Sequence, residues 1–437
     1  MSVANSKAGT GSGGPGTSPF LSRLLLAIGG SILGLALVEG ICRLGVEDGS
    51  RSPATLWGSP LMPKDPRDLR AAGRSEARYR YLEIDPKLGW TVAPGAELDE
   101  DAAYHADAAG LRTLPGREAF DPGTSSRRIA AFGDSFTHCD EVDFEDCWTH
   151  LLERELGTRV FNAGVPGYGT DQAYLRYRAM RERLDPDVVV LGLMIADIKR
   201  NVNVFRTFMG GWTAWTKPRF VVVGDGLELI NQPAATPAEV PEMIARGHPL
   251  LERDWWYDPA EWRREPLDWS VAYRFARARL WKPLERPSYY LYDSEPTIVT
   301  AKIVEAFARD VEAAGGRFLC LLIPSEPHLR YGDVVPWQPL TARLAEAGVE
   351  LVDAIPDLRA MAGTPGLFEP RGHLSRIGNE ILARSVARAL EHEPERTSGT
   401  DELLLVPEAD AGLLHGVALG AAAVCAGLRR RSTATPA

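Results

Sequence analysis

The chain has 437 residues, 45% hydrophobic and 25% charged, with 59 acidic against 49 basic residues and a net charge of −10. The acidic balance excludes a broad nucleic-acid surface, which needs clustered basic charge. Ordinary apolar content excludes general disorder; 42 Gly and 32 Pro are too few for a low-complexity chain, and five Cys too few for a disulfide scaffold. A mean hydropathy of −0.16 excludes a polytopic membrane protein, yet the average conceals two short greasy segments, one near each end.

Residues 1–19 are rich in Gly, Ser and Ala without apolar periodicity and read as a flexible tail. From Phe20 to Cys42 the chain is mostly apolar, with Arg23 at its start and Arg43 at its end. A helix rising about 1.5 Å per residue spans a hydrocarbon core over that length. No small-x-small cleavage site follows and no Cys is placed for lipid attachment, so residues 20–44 read as an uncleaved signal anchor. The expected orientation has the N-terminus inside and the body exported. Residues 45–125 are punctuated by Pro and Gly, with β-like pieces at Tyr79–Ile84 and Leu88–Val92; they read as a linker and a small lead-in subdomain.

From Arg127 the pattern becomes regular. Ile129–Phe132, Arg159–Phe161, Val188–Leu193, Phe318–Ile323 and Glu350–Val352 read as buried strands. Between and after them, Asp146–Leu156, Asp171–Arg183, Ile298–Ala314, Leu340–Ala347 and Arg376–Glu391 carry apolar residues at helical spacing. Such alternation predicts an α/β domain over 126–395, a parallel sheet with crossover helices. Residues 205–295, rich in Trp, Pro and Arg, read as an insertion covering one edge of the sheet. Its clusters Trp212–Phe220 and Trp255–Trp262 read as packed aromatics or as a carbohydrate- or lipid-facing lid. Beyond a linker at 396–410, Ala411–Leu428 is weakly polar and ends in Arg429-Arg430-Arg431. The order Val406-Pro-Glu-Ala-Asp410, apolar run, triple Arg resembles C-terminal sorting signals of the PEP type, with Ala409 where those signals carry a second Pro. The resemblance implies a membrane segment at 411–431 and a sorting protease as partner; a plain second anchor is the alternative.

The strand Ile129–Phe132 runs directly into Gly133-Asp134-Ser135. Ligands of open α/β sheets bind beyond the carboxyl ends of strands. A Ser on such a bend, followed by a helix, exposes its Oγ beside a free backbone N–H, as a nucleophile with part of an oxyanion hole requires. Asn162-Ala-Gly164-Val-Pro-Gly167-Tyr-Gly169 follows the next strand, and Phe368-Glu-Pro-Arg-Gly-His373 precedes the last helix. In this order of blocks, from about Arg127 to Leu390, the chain resembles the SGNH (GDSL-type) esterase and acyltransferase superfamily. The lead-in and Lys217–Ile230 resemble its membrane-anchored members. The resemblance implies a three-layer α/β/α, flavodoxin-like fold, Ser135 as nucleophile, His373 as its base, and the amides of Ser135 and Gly167 as oxyanion donors. A turn needing positive φ is the competing reading of these glycines, more so at Gly164 and Gly169 than at Gly167.

Two positions depart from that pattern. The slot for a side-chain amide after the third strand holds Ala196, followed by Asp197; Asn201 or Asn203 could substitute. Loss of one oxyanion donor costs about 3 kcal/mol. The Asp expected two or three residues before His373 is replaced by Arg371 and Pro370, so Glu369, Asp353 or a backbone carbonyl could hold the imidazole. Asp134, Tyr168 and His328 are candidates for substrate contact, as are Asp171 and Gln172, although Asp171 could equally cap a helix. His138 reads as an exposed or capping residue, with a place in the pocket lining as the alternative. Cys139 and Cys147 could join in an exported domain, and Cys320 reads as a core thiol. Neither His-x-x-x-His nor Cys-x-x-Cys occurs, so no metal and no cofactor is expected.

These features predict a serine esterase or O-acyltransferase, anchored in a bacterial membrane with its catalytic domain outside. Its substrate would be ester groups, acetyl above all, on a surface carbohydrate or lipid. The alternatives are a carbohydrate-binding or scaffold protein with weakened chemistry on the same fold, and an envelope assembly partner working through its two membrane segments.

Overall fold

Aliphatic runs without a polar face are strands buried on both sides, and they dictate the centre of this molecule. A computed structural model describes residues 19–392 except 48–53, 70–79, 100–101, 118, 122–126, 210–212, 282–283 and 333. The expected flexible tail, the linker at 396–410 and the apolar segment at 411–431 lie outside the described residues, apart from Pro19.

Main-sheet strands and the longer helices are numbered in chain order. The eight strands are Glu97–Asp99 (β1), Ala103–Ala106 (β2), Arg112–Thr113 (β3), Arg128–Gly133 (β4), Arg159–Asn162 (β5), Val188–Met194 (β6), Arg317–Ile323 (β7) and Leu351–Asp353 (β8). Five of them pair in parallel in the order β5-β4-β6-β7-β8. That is the flavodoxin-like order, and its direction reverses between β4 and β6, where a crevice opens at the strands' carboxyl ends. Gly192 in β6 lies opposite Gly133 in β4 at this point.

The helices are Pro19–Leu44 (α1), Trp148–Leu156 (α2), Thr170–Leu184 (α3), Val271–Leu280 (α4), Glu295–Ala313 (α5), Gln338–Glu346 (α6) and Arg376–Glu391 (α7). α2 packs against α7, while α5 packs between α3 and α6. On α5, Val299, Ile303, Val304, Phe307 and Val311 recur at helical spacing and are all buried. Every predicted element from Ile129 to Glu391 forms, with ends shifted by at most a turn.

The lead-in is more than a neighbour of the sheet. Leu82–Asp85 and Gly89–Val92 make a separate hairpin, but β1–β3 extend the main sheet, Arg112 pairing antiparallel with Asn162 of β5. These strands are too short to show alternation and escape a reading by periodicity. In the insertion, the hairpin Arg219–Val223 with Gly226–Ile230 packs over α3 and α5. A buried ion pair fastens it there, Lys217 to Asp171 in the first turn of α3, both fully shielded from solvent.

α1 is solvent-exposed along most of its length, but its last turn is part of the fold. Cys42 is buried with Leu56 and Leu61. Glu39 accepts hydrogen bonds from Ser270 Oγ (2.7 Å), Val271 N (3.0 Å) and Ala272 N (3.1 Å), and so caps α4. Arg43 donates to the carbonyl of Trp269 at 3.0 Å.

Lys217→Met leaves the Asp171 carboxylate buried without compensation and is expected to lower stability by about 3–5 kcal/mol. A denaturation midpoint unchanged from wild type would show that the pair does not hold the insertion in place.

Candidate active site

The site begins where β4 ends. Asp134, in extended conformation, caps the short helix Ser135–His138 by accepting from Phe136 N at 2.9 Å. Side chains are excluded around this turn. A Cβ at Gly133 or Gly192 would collide with the Thr137 hydroxyl, and one at Gly164 with the amide of His138. Gly164 is thus needed for close approach, whereas the left-handed position is Gly167 (φ +80°). This reverses the expectation for these glycines. Ser135 is 7% exposed. Among the described residues, the amides of Ser135 and Gly167 have no intramolecular acceptor, so both N–H groups are available.

The loop before α7 delivers His373 onto the serine, with Nε2 2.9 Å from Ser135 Oγ. Its other nitrogen, Nδ1, lies 2.6 Å from Oε2 of Glu141, a residue not singled out in the sequence. The carboxylate accepts a hydrogen bond from Nδ1–H, which leaves Nε2 to accept from the serine hydroxyl. Glu141 also accepts from the backbone N–H of Arg371 (2.7 Å) and His373 (3.1 Å), so one carboxylate orients both the ring and its loop.

Glu369 does not reach the imidazole. Its backbone closes the turn instead, Glu369 N donating to His373 O at 2.8 Å and Gly372 N to Glu369 O at 2.9 Å. Asp353 is likewise engaged elsewhere, accepting from Ile355 N at 2.9 Å at the start of a helix.

Glu141 arrives by an unusual backbone path. It sits at φ +73° and Cys139 at φ +64°, in a loop closed by a Cys139–Cys147 disulfide with Cα atoms 5.5 Å apart. Lead-in side chains hold that loop. The Arg112 guanidinium donates to the carbonyls of His138, Cys139 and Val142, and the Tyr104 hydroxyl accepts from Glu141 N at 2.7 Å. His138 is fully buried, contrary to the expected exposed residue. Its Nδ1 meets Asp140 at 2.7 Å and its Nε2 meets Tyr81 OH at 2.8 Å.

Other expected contacts are structural in this chain. Asp134 is fully buried and pairs with Arg200 at 2.7 Å, so it shapes the nucleophile turn. Arg200 also binds Asp197 at 2.6 Å; burial first, then the Asp134 carboxylate, raises the Asp197 carboxyl well above its usual range. Asn201 is buried, its amide donating to Thr170 and Thr300 Oγ1 at 3.2 and 2.8 Å, which withdraws it from the oxyanion. Asn203 is committed to Phe205 O and Asp254. Tyr168 is buried with its hydroxyl on Trp90 O at 2.6 Å, and burial pushes its phenol up to about 12. Asp171 is consumed by Lys217, and Gln172 donates to Leu88 O at 2.7 Å. The positive group beside Gly167 is Arg206, about 3.7 Å from where a Cβ would stand, and it has no ion-pair partner among the described residues.

His328 spends both nitrogens on its own surroundings, Nε2 to Tyr290 OH at 3.2 Å and Nδ1 accepting from Ser325 N at 3.1 Å. Burial, reinforced by the Lys199 charge, lowers it from 6.5 to about 4. The unfolded chain therefore takes up this proton as pH falls below 6.5, whereas the folded one resists until about 4. Stability present above that window is lost within it. His328→Gln is expected to flatten the fall of Tm across the same pH range; an unchanged slope would refute this origin.

No curated protein matches the sequence. Among solved structures, a member of the lipolytic G-D-S-L family from Veillonella parvula is similar at 13% identity, covering 61% of this chain and 100% of its own, with TM-score 0.32. A lipase/acylhydrolase from Enterococcus faecalis is similar at 14%, covering 61% and 95%, with TM-score 0.33. The acetyl xylan esterase AlAXEase is similar at 14%, covering 60% and 99%, with TM-score 0.33. The profile of the GDSL-like Lipase/Acylhydrolase family matches residues 131–381, a span from the nucleophile strand into α7 and more than half of the chain. The chain belongs to the GDSL-like lipase/acylhydrolase family.

Proposed function

We propose that this ester-bond hydrolase is a membrane-anchored serine esterase that removes acetyl or similar short acyl groups from a carbohydrate outside the cytoplasmic membrane. The observation that carries the reading is the unbroken relay Ser135–His373–Glu141, at 2.9 and 2.6 Å. Ser135 Oγ attacks the acyl carbonyl while His373 Nε2 takes its proton, and the Glu141 carboxylate stabilises the imidazolium. The oxyanion faces the amides of Ser135 and Gly167. Ala196 offers no side-chain donor, and the Arg206 guanidinium supplies positive charge beside Gly167 in its place. His373 then gives its proton to the departing alkoxide, leaving an acyl-serine. Water, activated by the same imidazole, releases the acid; a sugar hydroxyl in its place would make the protein an acyltransferase.

Anchoring in the membrane with the domain outside is supported by three features. The Cys139–Cys147 bridge suits an oxidising compartment. The last turn of α1 caps α4 and buries Cys42, which favours a retained anchor over a removed signal peptide. Trp57 and Trp269, 60% and 68% exposed beside that turn, suit the headgroup level of a bilayer. Acetylated carbohydrate as substrate draws on the sorting-like tail.

The full chain in detergent should hydrolyse p-nitrophenyl acetate and be labelled by a fluorophosphonate, with both lost in Ser135→Ala. Unlabelled wild type would sink the proposal. Glu141→Gln is expected to lower kcat about a thousandfold or more, as when a triad acid is neutralised, while Glu369→Ala stays within about twofold. The reverse ranking would return Glu369 to the role of acid. Arg206→Met should lower kcat at least about tenfold with KM little changed; a pure KM effect would make it a binding group instead.

A further inference from the structure

The insertion holds a second feature that the hydrolytic relay does not use. The insertion encloses a cavity of about 370 Å³ whose walls include Trp255, Trp256, Trp281, Tyr289, Asp258 and Arg286. The four aromatic side chains are half-buried, unlike the core aromatics, which are closed off. The Trp281 indole N–H is buried yet has no acceptor among the described residues; buried indole N–H groups ordinarily find one. The volume falls in the range of small-ligand sites, which pair apolar walls with a few fixed polar groups.

The chemistry of the walls selects the occupant. Flat indole and phenol faces stack on the C–H face of a pyranose ring, and a carboxylate accepts from a ring hydroxyl. An acyl chain would need continuous apolar walls, and here Asp258, Glu261 and Arg286 interrupt them.

The cavity is also joined to the catalytic turn. The loop Ile195–Lys199 follows β6 directly; Trp256 donates to Lys199 O at 3.0 Å, and the Lys199 ammonium stands 4.6 Å from the centre of the Tyr289 ring. The next residue, Arg200, binds Asp134 beside the nucleophile. Two adjacent residues, Lys199 and Arg200, therefore touch the cavity wall and the carboxylate that caps the Ser135 turn.

We infer that this cavity is a saccharide subsite, holding a sugar unit of the chain whose ester is presented to Ser135; the second clause rests on the esterase reading above, and the first does not. The test uses full-length Ser135→Ala protein in a detergent without a sugar headgroup, titrated with cello-, xylo- and chito-oligosaccharides while tryptophan emission is followed. At least one series should bind, and Trp255→Ala or Trp281→Ala should weaken it about tenfold. Trp281→Phe should weaken it less, which guards against a folding artefact. In the Ser135 background, the same tryptophan variants should keep kcat/KM on p-nitrophenyl acetate while KM rises on an acetylated oligosaccharide of the bound series. No binding by any series, binding indifferent to both tryptophans, or displacement of the tryptophan signal by phospholipid micelles alone would overturn the subsite. Tryptophan-dependent binding in a protein inert towards esters would support the subsite and sink the esterase reading.

Discussion

Arg112 carries a positive charge to a position 2% exposed and meets it with carbonyl oxygens in place of a carboxylate. A buried charge persists only where its hydrogen-bonding capacity is met. Burial lowers the guanidinium's affinity for its proton, and the Tyr104 ring face, 4.5 Å away, offsets part of that cost. The carbonyls of His138, Cys139 and Val142 converge on one point only if the chain folds back sharply between them. Cys139 and Glu141 supply that reversal with left-handed backbone, and the disulfide closes it from the other side. The lead-in is thus the template for the loop that carries Glu141, which explains why β3 is built into the main sheet.

This arrangement redistributes the relay among the loops. In the arrangement implied by the family resemblance, acid and base share the loop before the last helix. Here the acid travels with the nucleophile, six positions beyond Ser135, and the last loop delivers only the imidazole. Two backbone N–H groups of that loop bind the same carboxylate as the ring, so its position and the ring tautomer are set together. The relay forms when two separately braced segments meet.

Much of this was legible in the residues, and the illegible part has a physical cause. The parallel core could be read because strands buried on both faces are continuous apolar runs, Ser135 because it stands at a strand-to-helix transition, and His373 because its block precedes the last helix, as the family resemblance implies. Glu141 could not, since nothing within several residues distinguishes it from an exposed acid. Its role arises from contacts with residues more than two hundred positions away. The one available signal was the pair Cys139 and Cys147, which brackets it. Asn201 was chosen for its side-chain chemistry, but chemistry does not reveal direction, and Thr170 and Thr300 claim its amide. Tyr168 and His328 stand near strand ends, as substrate contacts do, yet burial turns both into structural posts.

The bond network at the base of α1 bears on how the protein samples its surroundings. A domain on a flexible tether sweeps a hemisphere, and most encounters with a fixed target are misoriented. Glu39 accepts three hydrogen bonds from the start of α4, and Arg43 grips the adjoining carbonyl, so the helix and the domain turn as one body. If α1 spans a bilayer, as proposed above, the serine would keep a nearly constant altitude and could only spin and drift within that plane. Substrate search would become two-dimensional, and a polymer lying at the wrong height would go untouched however concentrated it is.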